Sequence, residues 1–327
     1  MQWLATQVLA WLVLTFSLIN TGHSCSMIRY FAAAAILKIF SINKFTRSTY
    51  RYLGNVFGQK KRRQQSIDVY VNRGDHLIQL IRKYDVLKDG GAAVELGTGW
   101  IHWFGLYLVL NSESDVSLEL YDVWDNRQLD ALKSAFNKLA SQLEYDASIN
   151  ATHRAQLAFI QSVDSFEELY QYFNARYTIN SDGSLACYAD ASCNLITSFH
   201  VMEHINKNSI QESIGDMFRM LKPGGYCIHQ IGIDDHLAHY DDKVSQKKYL
   251  QFSLTGRKFL FENIVQYHNV LQGEDYQRFF LDKGFEIIEI NRERCDIAKL
   301  PVHADWKSYS HDDLETTVFT IVCRKPI

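Results

Sequence analysis

The sequence predicts an α/β fold, a doubly wound and mostly parallel sheet that closes with an antiparallel pair of strands. Three features predict it. From residue 66 onward, short apolar runs alternate with stretches of helical periodicity; the first apolar run is cut off by a pair of glycines; and the last two runs follow one another with no helical pattern between them. A strand that returns parallel needs a crossover, whereas two consecutive strands without one pair antiparallel.

Residues 1–65 read as a separate segment, hydrophobic and then basic. Met1 to Ile28 contains no charged side chain, and Trp3 to Ile19 is almost wholly apolar. As a helix those residues would rise roughly 25 Å, at the lower limit for crossing a bilayer's hydrocarbon layer. Nine basic side chains (Arg29, Lys38, Lys44, Arg47, Arg51, Lys60, Lys61, Arg62 and Arg63) and no acidic one fall within residues 1–65. Positive charge behind the apolar stretch, not before it, favours anchoring over export and a main domain on the cytoplasmic side. Met27 to Phe40 suits an interfacial helix, and Lys60 to Arg63 suit anionic head groups. The expectation is a membrane-associated protein with a transmembrane or surface-lying segment; the alternatives are a targeting peptide, or a helix packed as extra core on a soluble cytoplasmic protein.

The elements then follow in order. Ser66 to Leu87 has helical spacing at Ile67, Val71, Leu77, Leu80 and Ile81. Ala92 to Leu96 is a buried strand that ends at Gly97 and Gly99, Ser117 to Val123 a second strand, and Leu185 to Ala189 a short third. Asn194 to Phe199 and Tyr226 to Ile231 are two more, with a helix at Ser209 to Leu221 between them. Glu274 to Lys283 reads as a helix, and Phe285 to Glu293 and Thr316 to Arg324 as the closing strands. Residues 127–184 exceed a simple crossover and carry helical patterns, an insertion placed to cap a pocket at the strand ends. The main domain therefore runs over residues 66–327.

The totals exclude some functions. With 34 basic and 37 acidic residues, and the basic ones crowded at the front, no broad basic surface is available for nucleic acid. Six scattered cysteines without a CxxC pair fit neither a zinc site nor a disulfide framework.

The chemistry begins at Glu95, Gly97 and Gly99, where a first strand ends. Glycines there admit a ligand close to the backbone, and the next helix offers free N–H groups. The second strand ends at Asp122, a carboxylate placed to accept both hydroxyls of a ribose, beside Val123 and Trp124 as apolar cover. Asp190 follows the expected third strand.

These segments, VELGTG, LYDVWD, ACYADAS, ITSFHVMEHI and MLKPGG, in that order, resemble the class I S-adenosylmethionine (SAM) dependent methyltransferases. The resemblance implies a seven-stranded Rossmann-like sheet and SAM as cofactor. It also implies cofactor contacts from Glu95, Gly97 and Gly99 to the methionine part, from Asp122 and Val123 to the ribose and its surroundings, and from Asp190 to adenine, with Phe199 at the fourth strand's tip. The chain departs from the family in having Ile101 for a third glycine and Asn194 for the acid that often opens strand four.

Methyl transfer from a sulfonium needs alignment above all, and a base only where the acceptor loses a proton. His200 and His236 are the candidate catalytic residues, with Glu203, His204, Asp234, Asp235 and His239 nearby in sequence. The last two with Asp234 and His236 are ligand types that suit a metal, but polar loop residues are commoner, and no metal is expected. The acceptor class is a small molecule or a lipid- or saccharide-linked group at a membrane surface. Two other functions compete: an NAD-dependent oxidoreductase, disfavoured because His102 stands where GxGxxG needs glycine, and a non-catalytic SAM-binding scaffold.

Overall fold

The computed structural model describes residues 27–144 and 150–327. In chain order the elements are α1 (Ile28–Phe40), α2 (Lys44–Gln64), α3 (Asp68–Lys83), β1 (Gly91–Leu96), α4 (Trp103–Leu110), β2 (Val116–Asp122), α5 (Leu129–Leu143), α6 (Ala151–Ser162), α7 (Phe166–Tyr172), β3 (Ala175–Ile179), β4 (Cys193–Phe199), α8 (Ile210–Met220), β5 (Leu221–Gly232), α9 (Leu254–Leu260), α10 (Gly273–Asp282), β6 (Glu286–Arg294), α11 (His311–Glu315) and β7 (Thr316–Arg324). They form two compact units. One gathers the chain up to Arg47, Asp234–Gln266 and Cys295–Glu315; the other holds Ser48–Ile233, Tyr267–Arg294 and Thr316–Ile327.

The larger unit is built on a seven-stranded sheet in the order β3-β2-β1-β4-β5-β7-β6. Strands β1 to β5 pair parallel, and β7 lies antiparallel between β5 and β6. The expected α/β class and antiparallel C-terminal pair are thus both present. Apolar clusters form on the two faces. One joins α3, α4 and α5 through Leu77, Leu106 and Phe136; the other joins α8 and α10 through Ile214, Met217 and Phe280. Burying apolar area on both faces is what holds parallel strands in place of solvent-facing ones.

Two expectations are corrected here. The third strand is Ala175–Ile179, which pairs with β2, while Leu185 to Ala189 is turn whose Leu185 and Tyr188 are buried as packing residues. The helices within 127–184 do not form a free-standing cap: Ala131, Leu132, Phe136 and Leu139 of α5 and Leu157 and Ile160 of α6 belong to the core of the sheet unit. These helices make the β2-to-β3 crossover long, and their apolar faces are spent on the sheet.

The smaller unit has its own core. Tyr30, Ala33, Ala34, Leu37 and Phe40 make one buried face of α1. Tyr30 meets the Phe261 ring edge-on at 5.4 Å, and Tyr249 meets Trp306 at 5.3 Å. The Trp306 indole N–H donates to the Phe252 carbonyl at 2.9 Å, and Asp305 accepts from the Leu254 backbone N–H at 2.8 Å. Among the described residues, no helix is long and apolar enough to cross a membrane. The expected apolar span from Trp3 to Ile19 lies outside the described residues.

Candidate active site at the tips of the parallel strands

The parallel register sets Leu96 of β1 beside Tyr121 of β2, so the glycine turn and Asp122 leave the sheet side by side. Chain order reverses between β1 and β4, which makes this end of the sheet the topological switch point where α/β folds bind ligands. The turn is tied to its neighbour. Gly97 N–H donates to the Tyr121 carbonyl at 2.8 Å, and Gly99 N–H donates to Asp122 Oδ2 at 3.0 Å. Asp122 Oδ1 accepts from Val123 N–H at 2.7 Å. Burial raises the Asp122 carboxyl above its ordinary value, against these backbone N–H groups.

Both turn glycines have left-handed backbone, φ +69° at Gly97 and +66° at Gly99. They differ in what surrounds them. A Cβ on Gly97 would lie 2.3 Å from Val201 Cγ2, whereas one on Gly99 would meet nothing closer than a carbonyl oxygen at 4.0 Å. Gly97 is closed by packing, and Gly99 opens onto free space bordered by Asp122. That open cradle with a carboxylate at its edge fits the adenosyl and methionyl parts of SAM.

Glu95 is placed differently from its expected role. It is fully enclosed, accepts from Thr98 Oγ1 at 3.1 Å and from Gly105 N–H at 2.9 Å, and burial pushes its carboxyl up to about 7. It therefore staples the glycine turn to the first turn of α4. Ile101 is buried in core, and His102 has left-handed φ of +46° at the start of α4. The His102 ring is packed on Phe166 and Tyr177, and burial lowers its imidazole to about 3.

Asp190 is not brought to this end. It precedes β4, in a turn whose Ala191 N–H bonds to Arg219 at the end of α8, and its exposed carboxylate pairs with Arg219 at 2.8 Å. The residues that follow the observed third strand are Asn180, Ser181 and Asp182. Asn180 N–H donates to the Asp122 carbonyl at 3.0 Å.

Residues 48–64 of α2 add side chains that sequence reasoning passed over. The Arg51 guanidinium lies 3.7 Å from the Trp124 ring and that of Arg62 4.5 Å from the Trp100 ring. Asn55 Oδ1 accepts from the Trp100 indole at 3.2 Å. Trp100 directly follows Gly99 and Trp124 comes two residues after Asp122, and so a basic helix covers the flanks of the strand tips. Tryptophans next to Gly99 and Val123 were the available signal, whereas the basic run Lys60 to Arg63 pointed to anionic head groups.

At the tip of β4, Phe199 stacks on Phe104 at 3.6 Å. His200 follows with φ +53°. Its Nδ1 lies 3.2 Å from Glu203 Oε1, at ion-pair range but not aligned as a hydrogen bond, and its buried Nε2 has no hydrogen-bond partner. Glu203 is fully buried, which alone would raise its carboxyl; His200 and His204 outweigh burial and hold it below the ordinary carboxylate value.

His236 belongs to the smaller unit. It stacks on His239, whose ring takes Asp234 at 2.5 Å while His236 stands 3.9 Å from that carboxylate. The Asp234 contact raises the His239 imidazole. Asp235 turns to Tyr30, whose hydroxyl donates at 2.8 Å, and accepts from Leu237 N–H at 3.0 Å. Asp234 and Asp235 thus serve separate partners.

The sequence matches the family described as a methyltransferase domain over residues 74–290, more than half of the chain. The chain belongs to the class I SAM-dependent methyltransferases. The methyltransferase is similar in fold to a SAM-dependent methyltransferase from Methanosarcina mazei, at 16% identity over 75% of this chain and 97% of that one, TM-score 0.43. An S-adenosylmethionine dependent methyltransferase from Mesorhizobium loti gives 13% identity over 75% and 96%, TM-score 0.40. Phosphoethanolamine N-methyltransferase 2 of Haemonchus contortus, solved with SAM, gives 14% over 77% and 53%, TM-score 0.41. No curated protein sequence matches.

Proposed function

We propose that this methyltransferase delivers the methyl group to a small molecule, or to a lipid- or saccharide-linked group, met at a membrane surface, with its catalytic domain on the cytoplasmic side. The observation that carries the surface reading is the front of the chain, uncharged to Ile28 and then basic without a single acid up to residue 65. An anionic head-group layer is the partner such a segment complements.

SAM supplies an already activated methyl group when bound, and the chain's own residues bind, orient and move a proton. Asp122 accepts the ribose hydroxyls while its backbone partners hold it still. Gly97 lets the turn pack on Val201, Gly99 keeps a side chain out of the cradle, and Val123 gives apolar cover. Asn180 to Asp182, beyond the observed third strand, take the place on the adenine side expected of Asp190. Phe199 is fixed by its stack on Phe104, which positions His200 at the tip of β4. His200 is our choice of base: the Glu203 carboxylate faces Nδ1, so Nε2 is the nitrogen left for an acceptor's proton. His236 is the second candidate, on the segment that follows β5.

Full-length protein, labelled SAM and a membrane extract test the reading. Labelled lipid or glycan product is expected, and His200→Ala should lower turnover about 100-fold or more with SAM affinity unchanged. Turnover preserved in His200→Ala would move the base elsewhere. SAM binding without product in any extract would favour the scaffold.

A further inference from the structure

Helix α1 carries two apolar faces, with Arg29 and Lys38 as its charged residues. Tyr30, Ala33, Ala34, Leu37 and Phe40 fill the core of the smaller unit. Ile28, Phe31, Ala35, Ile39 and the following Ile42 form a second stripe at helical spacing, and every one of them is exposed. One apolar face is spent on the core, and the second is left outside it.

The stripe is not isolated. Lys38 reaches across to the Phe259 carbonyl, with its ammonium 5.6 Å from the Phe259 ring, and Ser41 Oγ accepts from Ile264 N–H at 2.9 Å. Phe31 lies 5.8 Å from the Phe261 ring. These contacts bring the end of α9 and the turn after it to the edge of the stripe, where Phe259 is 77%, Ile264 60% and Ile42 71% exposed. Single exposed apolar residues need no explanation, but a contiguous set of this kind marks an interaction surface. In sequence, residues 28–47 carry Arg29, Lys38, Lys44 and Arg47 and no acid, and residues 254–264 carry Arg257 and Lys258 against Glu262; Lys38 itself stands at the Phe259 edge.

We infer that this face, made jointly by α1 and the 259–264 turn, is the surface on which the folded smaller unit lies in an anionic lipid bilayer. Large apolar side chains enter the acyl boundary and lysines and arginines meet the head groups, the arrangement of an interfacial helix. The charge pattern decides the occupant: a basic rim around an apolar centre complements anionic lipid. The inference rests on the membrane-surface reading above and adds to it, because it places contact on α1 and the 259–264 turn as well as on residues 1–26.

The test uses full-length protein and vesicles of phosphatidylcholine alone or with about a third phosphatidylserine. Phe259→Trp and Ile39→Trp report depth through quenching by brominated lipid, read as the difference from the unsubstituted chain, with Ile327→Trp as the control. Strong quenching at 259 and 39 but not 327 is expected. Phe31→Ser with Ile39→Ser and Phe259→Ser should lower partition to anionic vesicles about tenfold or more, and added salt should weaken what remains. Binding with all three tryptophans equally unquenched, and partition unmoved by the serines, would overturn this face while leaving attachment through residues 1–26 intact. Absence of binding to either vesicle would overturn the membrane-surface reading itself. A tryptophan at 39 or 259 already shielded in buffer would assign the face to residues 3–19 or to a second copy, and would also overturn the inference.

Discussion

Glu95 is a carboxyl closed in by protein, and its consequence is a pH dependence that can be isolated. Its ordinary value of 4.5 is raised by burial to about 7 in the folded chain. Between those two values the folded chain keeps a proton that the unfolded chain has released, so stability falls as pH rises across that window. A glutamine amide oxygen can still accept from Gly105 N–H and from the Thr98 hydroxyl, as Glu95 Oε2 does, without the titration. Glu95→Gln should therefore gain on the parent in unfolding free energy, measured by chemical denaturation, from about pH 5 to about pH 7.5, by an amount of order 1 kcal/mol or more; parallel pH profiles would contradict the assignment. Residue by residue, the sequence showed Asp122 and the glycine pair because their role is written in local spacing. It misplaced Asp190 because an acid followed by a small residue after an apolar run looks the same at either end of a strand. Only the pairing with Arg219 reveals which end it occupies.

At the scale of elements, β3 was the strand missed, and the reason is its position. It is an edge strand with a mixed burial pattern, its Arg176 paired with Glu119 at the surface, so neither an apolar run nor clean alternation announces it. LACYA carries the apolar run, yet its side chains fill space beneath a turn. The glycine turn gives a sharp prediction here. Gly97→Ala adds a Cβ 2.3 Å from Val201 and forces a left-handed alanine, so a loss of about 2–4 kcal/mol is expected by chemical denaturation; a loss under about 0.5 kcal/mol would show that the turn is not packed this way. A second test concerns α1. Tyr30→Phe removes the donor to buried Asp235, whose carboxyl burial already raises to about 6. The expected cost is about 1–3 kcal/mol, measured by the denaturation midpoint of the full chain. An unchanged midpoint would mean that α1 is held by its apolar face alone.

Across the whole molecule, the sheet class and its antiparallel close were legible because they depend on the order of apolar runs, which sequence displays directly. The smaller unit was not. It joins the front of the chain, the segment after β5 and the β6–β7 connection, three stretches far apart in sequence whose common core of Tyr30, Phe261 and Trp306 has no local signature. Those same stretches supply His236 and the proposed lipid-facing surface, while the sheet unit supplies the cofactor cradle. Division of labour between them follows from what each carries: backbone turns and a carboxylate in one, apolar and basic side chains in the other. The central claim is the cradle, and calorimetric titration of the full chain with SAM tests it most directly, with NAD as the comparison and Asp122→Ala as the variant. The account predicts SAM binding in preference to NAD, weakened about 10- to 100-fold in Asp122→Ala as charged hydrogen bonds are lost. Equal SAM affinity in parent and variant, or a preference for NAD, would contradict it.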